Sequence, residues 1–464
     1  MHLRLRSWLP EAFLALIALF FFVRELGTFP AAWGDDSLFM IVAREFAEGR
    51  GYMLPLLQQE WHYPYILGVG PSLILPVALT IKLFGFSVAA ARIPMVIYLI
   101  GTCICFYFFT RRVAGKPAAF WATLLLVTLS AFVNTGKPVL GEVPGLFFLF
   151  LGLLCLLRLK DGLRWTLLAG MLFGLAVLTK ITYGLLYPAL GIAGITALLR
   201  RDMKSFWNLF LIGSIALIPF AAWNWLEMSQ RSGVLHEILF LFGENEAEAA
   251  APFTHLLSDP RILLRLPFLT YGTFFVFGLF GALKLSKTTD KNVLAIVLSL
   301  ILLFTLYFVS SFGWYRHLLP AHSLLLPFVP AGARSLLGKK IAILFLIAAA
   351  VAQGLWQLDH RGASRSKAPE HVTEFVEQNF AGNPVIVQQA EIFVRVPRRH
   401  NVLFLTNPLI TARLPEDLST LTPLQKCMPV IRRLGPDEEK QFFGRLLTLS
   451  GSYFLIDPPP ECRR

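Results

Sequence analysis

Two adjacent carboxylates follow the first apolar run of the chain, in the segment Gly34-Asp35-Asp36-Ser37. Residues 38–48 then alternate apolar and polar side chains at helical spacing, which predicts an amphipathic helix with Asp35 at or just before its start. An aspartate at that place is typical of an ordinary helix N-cap. A cap needs only one carboxylate, however, so the pair favours a functional role for Asp35 as a general base.

A second acid, Glu142, lies in Lys137-Pro-Val-Leu-Gly-Glu142-Val-Pro-Gly, directly before another apolar run. An acid in the first turn of a helix also interacts favourably with the helix dipole, so this residue alone favours structure and function equally. Acids from two separate loops can meet if both loops lie on the same face of a membrane. The functional interpretation of Glu142 therefore depends on the topology of the chain.

Three basic residues stand at the ends of apolar runs: Lys137, Lys180 and Arg316. Lys180 interrupts an almost continuous apolar stretch, where an isolated ammonium group is costly unless an anion is near or the side chain reaches the interface. Arg316 follows Trp314 and Tyr315, and such aromatic residues on their own indicate an interfacial belt. Taken together, the basic residues predict an anion-binding site.

Membrane helices are the elements that would position these residues. Of the 464 residues, 56% are hydrophobic and only 15% are charged, whereas soluble domains carry about 25% charge, so a soluble globular protein is excluded. About 20 apolar residues cross a bilayer. The sequence predicts eleven crossings: Pro10–Leu26, Val88–Thr110, Ala118–Thr135, Val143–Leu157, Trp165–Leu178, Tyr183–Leu199, Phe206–Leu226, Leu266–Leu283, Val293–Phe312, His317–Ala333 and Ile341–Leu358. The net charge of +13 comes from basic residues spaced between these runs, which indicates topology signals rather than nucleic-acid binding.

The segment Ile66–Gly85 decides the orientation of everything after it. Four of its residues disfavour an uninterrupted helix, namely Gly68, Gly70, Pro71 and Pro76. We therefore predict a juxtamembrane segment that does not fully cross the membrane. With that topology the basic clusters of the later loops lie in the cytoplasm together with Arg4 and Arg6, in agreement with the positive-inside rule. The predicted outer loops are 28–87, 136–142, 179–182, 227–265 and 310–316, together with everything after residue 359. All the candidate residues then lie on the outer face of the plasma, or cell inner, membrane.

The last hundred residues have a mixed polar composition and predict a small α/β domain on the outer face, 361–464, separate from the membrane domain 1–360. The predicted elements are the helices Pro369–Phe380 and Pro436–Leu449 and the strands Val385–Gln388, Asn401–Leu405 and Tyr453–Ile456. On that face Cys427 and Cys462 either form a disulfide or remain two thiols, and their spacing leaves both alternatives open.

The order and spacing of these segments resemble the GT-C glycosyltransferases of the dolichyl-phosphate-mannose protein mannosyltransferase type, whose bacterial relatives include the lipid A aminoarabinose transferase. The resemblance is strongest over residues 30–185. It is carried by the acidic pair, Ala43-Arg-Glu-Phe-Ala-Glu-Gly, Leu83-Phe-Gly85, Ala91-Arg92-Ile-Pro94, Gly141-Glu142-Val-Pro, Leu178-Thr-Lys180 and Tyr315-Arg316-His-Leu-Leu-Pro320.

This resemblance implies a polytopic α-helical membrane enzyme of GT-C type that takes a sugar from a polyprenyl-phosphate carrier and passes it to an acceptor hydroxyl. Asp35 matches the family's catalytic acid after the first helix, and Glu142 matches the acid of the second outer loop. Relatives often carry Lys-Pro in the first loop for the carrier phosphate, where this chain has Trp61-His62-Tyr63-Pro64. Lys137, Lys180 or Arg316 would then bind the phosphate instead.

The residues predict a direct displacement with inversion, with Asp35 as base and Glu142 orienting the acceptor or a metal ion. The predicted substrate contacts are Asp36, His62, Tyr63, Lys137, Lys180, Tyr315 and Arg316. A divalent metal ion held by Asp35, Asp36 and Glu142 is an open alternative. The acceptor is a glycolipid, a polysaccharide or a protein, and the sequence does not distinguish them.

Two other functions remain as alternatives. A transporter or flippase would carry paired charges deep inside its helices and symmetry between its halves. An O-antigen polymerase or ligase would depend on a large outer loop with basic residues, and the loop Glu227–Arg265 contains Arg231, Arg261 and Arg265.

Overall fold

The computed structural model describes residues 9–64, 67–228, 264, 266–310, 314–360, 363–397, 401–407, 411, 418, 420–442 and 444–462. Arg4 and Arg6 lie outside the described residues. So does most of the predicted outer loop 227–265, including Arg231, Arg261 and Arg265, on which the polymerase alternative depends. Part of the predicted loop 310–316, residues 311–313, also lies outside them.

Helices form along the predicted apolar runs, because a helix satisfies its backbone hydrogen bonds internally and so suits an apolar environment. By length and composition, six described helices can cross a membrane, or seven if the bent pair Lys116–Thr128 and Ser130–Gly136 is one span. The helices of the apolar runs are Leu9–Val23, Pro71–Phe84, Val88–Ala114, Lys116–Thr128, Ser130–Gly136, Glu142–Leu156, Leu163–Thr179, Leu186–Leu199, Met203–Met228, Leu266–Leu285, Lys291–Ser310, Tyr315–Leu325 and Val329–Leu358. The predicted polytopic helical fold is confirmed, whereas the number of eleven crossings stays a prediction.

The segment that decides the orientation contains a short helix, Pro71–Phe84, with Pro76 inside it. Its 14 residues span about 21 Å, which is less than the roughly 30 Å of a hydrocarbon core. Helices of 15–17 residues form in three runs predicted to cross, Leu9–Val23, Glu142–Leu156 and Leu163–Thr179, so the course of this segment stays a prediction. The predicted run His317–Ala333 is likewise divided, because one helix ends at Leu325 and the next begins at Val329.

The chain folds into two compact units. The first contains the described residues of 1–24, 68–73 and 95–363, and the second contains those of 25–67, 74–94 and 364–464. The loop after the first helix therefore belongs to the same unit as the C-terminal residues, a grouping that differs from the predicted division at residue 360. Backbone hydrogen bonds explain it, since Leu57 N–H donates to Phe404 O, and Ala31 N–H donates to Ser364 O over 2.9 Å.

Small residues bring two helices of the first unit into backbone contact. A Cβ added at Gly332 would lie 1.7 Å from Phe277 O, and one added at Gly281 would lie 2.0 Å from Phe328 O. Neither position has room for a side chain. The helices Leu266–Leu285 and Val329–Leu358 thus pack through glycines, as membrane helices commonly do.

The second unit contains two sheets. The strands β1 (Met53–Leu56) and β2 (Gln59–His62) form an antiparallel hairpin. The larger sheet has the order β4-β3-β5-β7-β6, with β3 parallel to β4 and β5, and β7 antiparallel to β5 and β6. Its strands are β3 (Val385–Val387), β4 (Val402–Phe404), β5 (Val430–Arg433), β6 (Leu446–Ser450) and β7 (Tyr453–Ile456), and its helices are Ala368–Asn379, Ala390–Phe393, Pro423–Lys426 and Pro436–Glu439.

Most elements predicted for the C-terminal residues are present, but the predicted helix Pro436–Leu449 is wrong beyond its first turns. It ends at Glu439, a 3-10 turn covers Lys440–Phe442, and the rest forms β6. Gly451, at a φ of +57°, lies in the turn to β7. Pairing with β7 decides the conformation of β6, and the local apolar pattern does not contain that information.

A disulfide joins Cys427 to Cys462 across a Cα–Cα distance of 5.4 Å. This contact answers the question that the spacing left open. Cross-links of this kind persist in oxidising compartments, so the disulfide agrees with the predicted outer location of this unit.

Candidate active site

The first unit brings Glu142, Lys180 and Arg316 together, and we call these three residues the charge cluster. Lys180 Nζ lies 3.5 Å from Glu142 Oε1, and Arg316 Nε lies 3.9 Å from the same oxygen. The Glu142 side chain is 3% exposed, whereas those of Lys180 and Arg316 are each 12% exposed. Residues almost 175 positions apart in sequence thus share one partly buried ionic site.

Glycines allow the Lys180 segment to approach Glu142. Lys180 follows the helix Leu163–Thr179 with an extended backbone, and the 3-10 turn Ile181–Leu185 comes next. A Cβ at Gly141 would lie 2.7 Å from Thr179 O, and a Cβ at Gly145 would lie 2.1 Å from the Tyr183 ring. A side chain at either glycine would push the Lys180 segment away from Glu142.

Tyr183 fixes the backbone at Glu142. Its side chain is 1% exposed, and its hydroxyl donates a hydrogen bond of 2.5 Å to Glu142 O. The first turn of the helix Glu142–Leu156 is therefore held by the turn that follows Lys180. Because this hydrogen bond uses the backbone carbonyl of Glu142, the carboxylate of the same residue can face the two cations.

The charge cluster brings two cations to the same carboxylate oxygen. Among the described residues, neither carboxylate oxygen of Glu142 accepts a hydrogen bond, and the cation distances exceed ordinary hydrogen-bond lengths. Two cations held this close together in a partly buried position are suited to contact an anionic group such as a phosphate.

Aromatic residues surround Arg316. Its guanidinium lies 4.3 Å from the centroid of the Trp314 ring, a distance typical of a cation–π interaction. The neighbouring Tyr315 hydroxyl lies 2.5 Å from Nδ1 of His322, and His322 is fully buried. Tyr315, predicted to bind substrate, is thus hydrogen-bonded to a buried residue two turns further along its own helix.

In the second unit, Asp35 lies in the first turn of the helix Gly34–Ala47, which we call the Asp35 helix. The helix begins at Gly34 and the preceding Trp33 makes no side-chain cap. Asp35 is therefore the second residue of the helix and not its cap, contrary to the ordinary interpretation of such an aspartate. Its side chain is half-buried.

Asp36 has a structural partner. Its carboxylate accepts a 2.5 Å hydrogen bond from Arg92 Nη2, and both side chains are fully buried. Arg92 Nη1 also donates to Leu26 O and Pro30 O, at 3.1 Å and 2.8 Å. The pair fixes the chain that leads into the Asp35 helix, so the enclosed Asp36 gives no support to its predicted role in binding substrate.

Other predicted substrate contacts have partners of their own. Lys137 is 1% exposed, and its Nζ donates to Arg24 O over 2.5 Å. His62 Nε2 lies 3.3 Å from the Glu60 carboxylate, and the Tyr63 ring stacks on Tyr52 with centroids 6.0 Å apart. The structure gives these three residues no placement that singles out a substrate.

The carboxylates predicted as metal ligands do not fit that role. Two of them already face cations, since Glu142 faces Lys180 and Asp36 is paired with Arg92. Throughout the part of the chain that the structure describes, no group of three or more His, Cys, Asp or Glu residues could hold a metal ion. We therefore derive no metal-dependent step.

Sequence reasoning missed two partners of the candidate residues. Arg92 stands within a predicted crossing, and its position inside an apolar run was a signal of a buried ion pair. Tyr183 gave no such signal, because a tyrosine near a helix end is ordinary. Its role follows only from its contact with Glu142.

Residues 70–225 match the family model of the dolichyl-phosphate-mannose-protein mannosyltransferases. The fold is similar to that of ArnT from Cupriavidus metallidurans bound to undecaprenyl phosphate, with a TM-score of 0.67 and 12% identity over 98% of both chains. It is also similar to the oligosaccharyltransferase AglB from Archaeoglobus fulgidus in complex with an inhibitory peptide and a dolichol-phosphate. That match has a TM-score of 0.60 and 13% identity, and it covers 92% of this chain and 70% of AglB. No curated protein sequence matches the chain.

These similarities show the fold. The chain has the GT-C arrangement of apolar helices with a small C-terminal sheet, as the sequence resemblance predicts. Identities of 12% and 13% leave the substrates undetermined.

Proposed function

We propose that this chain is a membrane glycosyltransferase that moves a sugar from a polyprenyl-phosphate carrier to an acceptor hydroxyl on the outer face of the membrane. The observation that carries the proposal is the partly buried charge cluster, two cations within 4 Å of one carboxylate oxygen, in a chain with a GT-C fold. The polyprenyl phosphates in the structures of ArnT and AglB support a carrier of this class.

Lys180 and Arg316 bind the carrier phosphate in this proposal. When the sugar leaves, negative charge develops on the phosphate, and cations held in place stabilise that charge without a proton. Glu142 keeps the two cations side by side, since each lies within 4 Å of the same carboxylate oxygen. Its role is thus to orient the cations rather than a metal ion.

Asp35 acts as the base on the acceptor side. It takes the proton of the acceptor hydroxyl, whose oxygen attacks the anomeric carbon as the bond from that carbon to the phosphate oxygen breaks. The electron pair of the broken bond stays on the phosphate, and a single displacement inverts the anomeric configuration. Its half-buried position leaves Asp35 accessible to an acceptor, unlike the enclosed Asp36.

The proposal predicts a sugar increment that depends on Asp35. Glycolipids, polysaccharides and envelope proteins from cells with and without the chain would be compared by mass spectrometry. We expect one product to lose a single sugar when the chain is absent, and Asp35→Asn to lower its formation at least 100-fold. Asp437→Asn, a matched change in the first turn of another helix, should leave the product unchanged.

Purified Asp35→Asn protein that folds and still transfers sugar at the normal rate would show that Asp35 is not the base. An unchanged envelope after deletion of the chain would count against the glycosyltransferase proposal itself.

A further inference from the structure

The Asp35 helix is held by an arginine at each end. Arg92 binds Asp36 in the first turn. Near the other end, Arg44 Nη1 donates to Val394 O over 2.9 Å and to Val396 O over 3.2 Å. The second contact joins the helix to residues 350 positions later in the sequence.

The acceptors of Arg44 are themselves fixed. Val394 and Val396 follow the short helix Ala390–Phe393, and both side chains are buried in the C-terminal part of the second unit. Val396 packs in the core that includes Ile431 of β5. The two carbonyls therefore belong to a segment that is held by the packed core of the second unit.

The guanidinium of Arg44 is also oriented by its other neighbours. Its Nε pairs with Glu48 over 2.9 Å, and its central carbon lies 5.0 Å from the centroid of the Phe86 ring. Only 13% of the side chain is exposed. Four groups thus hold the guanidinium in one orientation.

Packing alone leaves space at this junction. A cavity of about 270 Å³ lies beside the contact, lined by Ile41, Arg44, Arg50, Phe393, Val394, Val396, Pro397 and Val402. The cavity leaves space beside the end of the helix, although residues 38–43 are at most 6% exposed. The directional hydrogen bonds of Arg44 therefore add a restraint on tilt at this end to the packing of the buried residues.

We infer that Arg44 positions Asp35, and that the C-terminal residues 364–464 serve as the scaffold for this acid. The inference rests on the proposed role of Asp35 as base. A helix behaves as a short rod, and Asp35 and Arg44 are about 13 Å apart along its axis, so a tilt at one end displaces the other. A misplacement of about 1 Å can lower a rate by roughly 100-fold.

Three variants of the full-length protein test the inference. Arg44→Gln removes the charged fork, Arg44→Lys keeps one donor for a carbonyl, and Arg432→Gln is a control whose arginine pairs with Glu438 within the C-terminal part. We expect Arg44→Gln to lower kcat by about 10- to 100-fold and to leave the KM for the lipid donor within about twofold. Arg44→Lys should recover part of kcat, and Arg432→Gln should match the parent protein.

Hydrogen exchange of residues 34–47 gives a readout that does not depend on activity. Arg44→Gln should accelerate exchange in the Asp35 helix, while Arg432→Gln should not. Unchanged exchange or unchanged kcat in Arg44→Gln would overturn the inference, and so would an equal loss in Arg432→Gln. If Asp35→Asn remained active, the proposed base would be wrong, whereas the exchange data would still decide whether Arg44 holds the helix.

Discussion

At the scale of single residues, Glu142 determines the character of the charge cluster. Its carboxylate is the anion that Lys180 and Arg316 share among the described residues, and it is buried more deeply than either cation. Removing one partner of a buried ionic group typically costs about 3–5 kcal/mol, because the remaining charges stay uncompensated. Glu142 thus maintains two like charges at a distance that they would not otherwise keep.

Lys180→Ala is expected to weaken binding of the lipid donor. The substitution removes one of the two cations proposed to bind the carrier phosphate, while Arg316 remains beside Glu142. A hydrogen bond to a charged group contributes about 1.5–3 kcal/mol, which corresponds to an increase in KM of roughly 10- to 150-fold. Steady-state transfer rates at varied donor concentration would measure the change.

The control for this variant is Lys160→Ala, since Lys160 is exposed and lies in the 3-10 turn Leu159–Asp161, apart from the charge cluster. Its KM should equal that of the parent protein. An unchanged KM in Lys180→Ala would contradict the phosphate role.

Sequence reasoning reached the charge cluster because a cation that interrupts apolar sequence is costly and therefore noticeable. It assigned Asp36 to the substrate, since the buried partner of Asp36, Arg92, lies 56 residues further along the sequence. It also grouped Lys137 with the cations of the site, whereas its ammonium donates to the Arg24 carbonyl. Long-range partners of this kind leave no mark on local composition.

At the scale of elements, the turn after the helix Leu163–Thr179 positions Lys180 beside Glu142. The helix stops at Thr179, and the chain passes so close to Gly141 and Gly145 that no side chain fits at either glycine. The two glycines carry no reactive group. They influence the site because the absence of a side chain lets the two backbones approach closely.

Gly145→Ala is expected to disturb the site through packing alone. The added Cβ would lie 2.1 Å from the Tyr183 ring, so the ring must move and its hydrogen bond to Glu142 O is lost. Overpacking of this kind costs about 1–3 kcal/mol of folding free energy. Thermal unfolding in detergent and the transfer rate should both fall.

Gly191→Ala is the matched control, because it makes the same change in the apolar helix Leu186–Leu199 where nothing lies within 4 Å. It should unfold at the parent temperature or slightly above it, since alanine favours a helix. Equal behaviour of the two variants would show that the Tyr183 contact is unimportant.

Helices were predictable because an apolar run carries its own signal within about 20 residues. The strands were less predictable from the sequence. The hairpin of β1 and β2 lies in the predicted outer loop 28–87, for which the sequence predicted no strand, and β6 was mistaken for the end of a helix. Both depend on pairing between strands, which a local pattern does not encode.

At the scale of the whole molecule, the distribution of basic clusters predicts which residues face outward. Ser366→Cys, in the segment before the helix Ala368–Asn379, should react with a membrane-impermeant maleimide in intact cells. Lys160→Cys should react only after permeabilisation, because the basic cluster Arg158, Lys160 and Arg164 is predicted to face the cytoplasm. Both positions are exposed in the structure.

Mass shifts of the labelled protein would measure this reaction. Labelling of Lys160→Cys, rather than Ser366→Cys, in intact cells would reverse the orientation and place the charge cluster on the cytoplasmic side. The parent chain serves as the background, since Cys103, Cys105 and Cys155 are buried and the two remaining cysteines are joined.

The second unit is assembled from segments that leave the ribosome at very different times. About 300 residues separate its first stretch, 25–67, from its last, 364–464. At about 5–20 residues per second, the gap lasts roughly 15–60 s. During that interval the newly made Asp35 helix lacks the carbonyls that Arg44 binds. Translation that stops early would therefore yield a protein in which this helix never gains that contact.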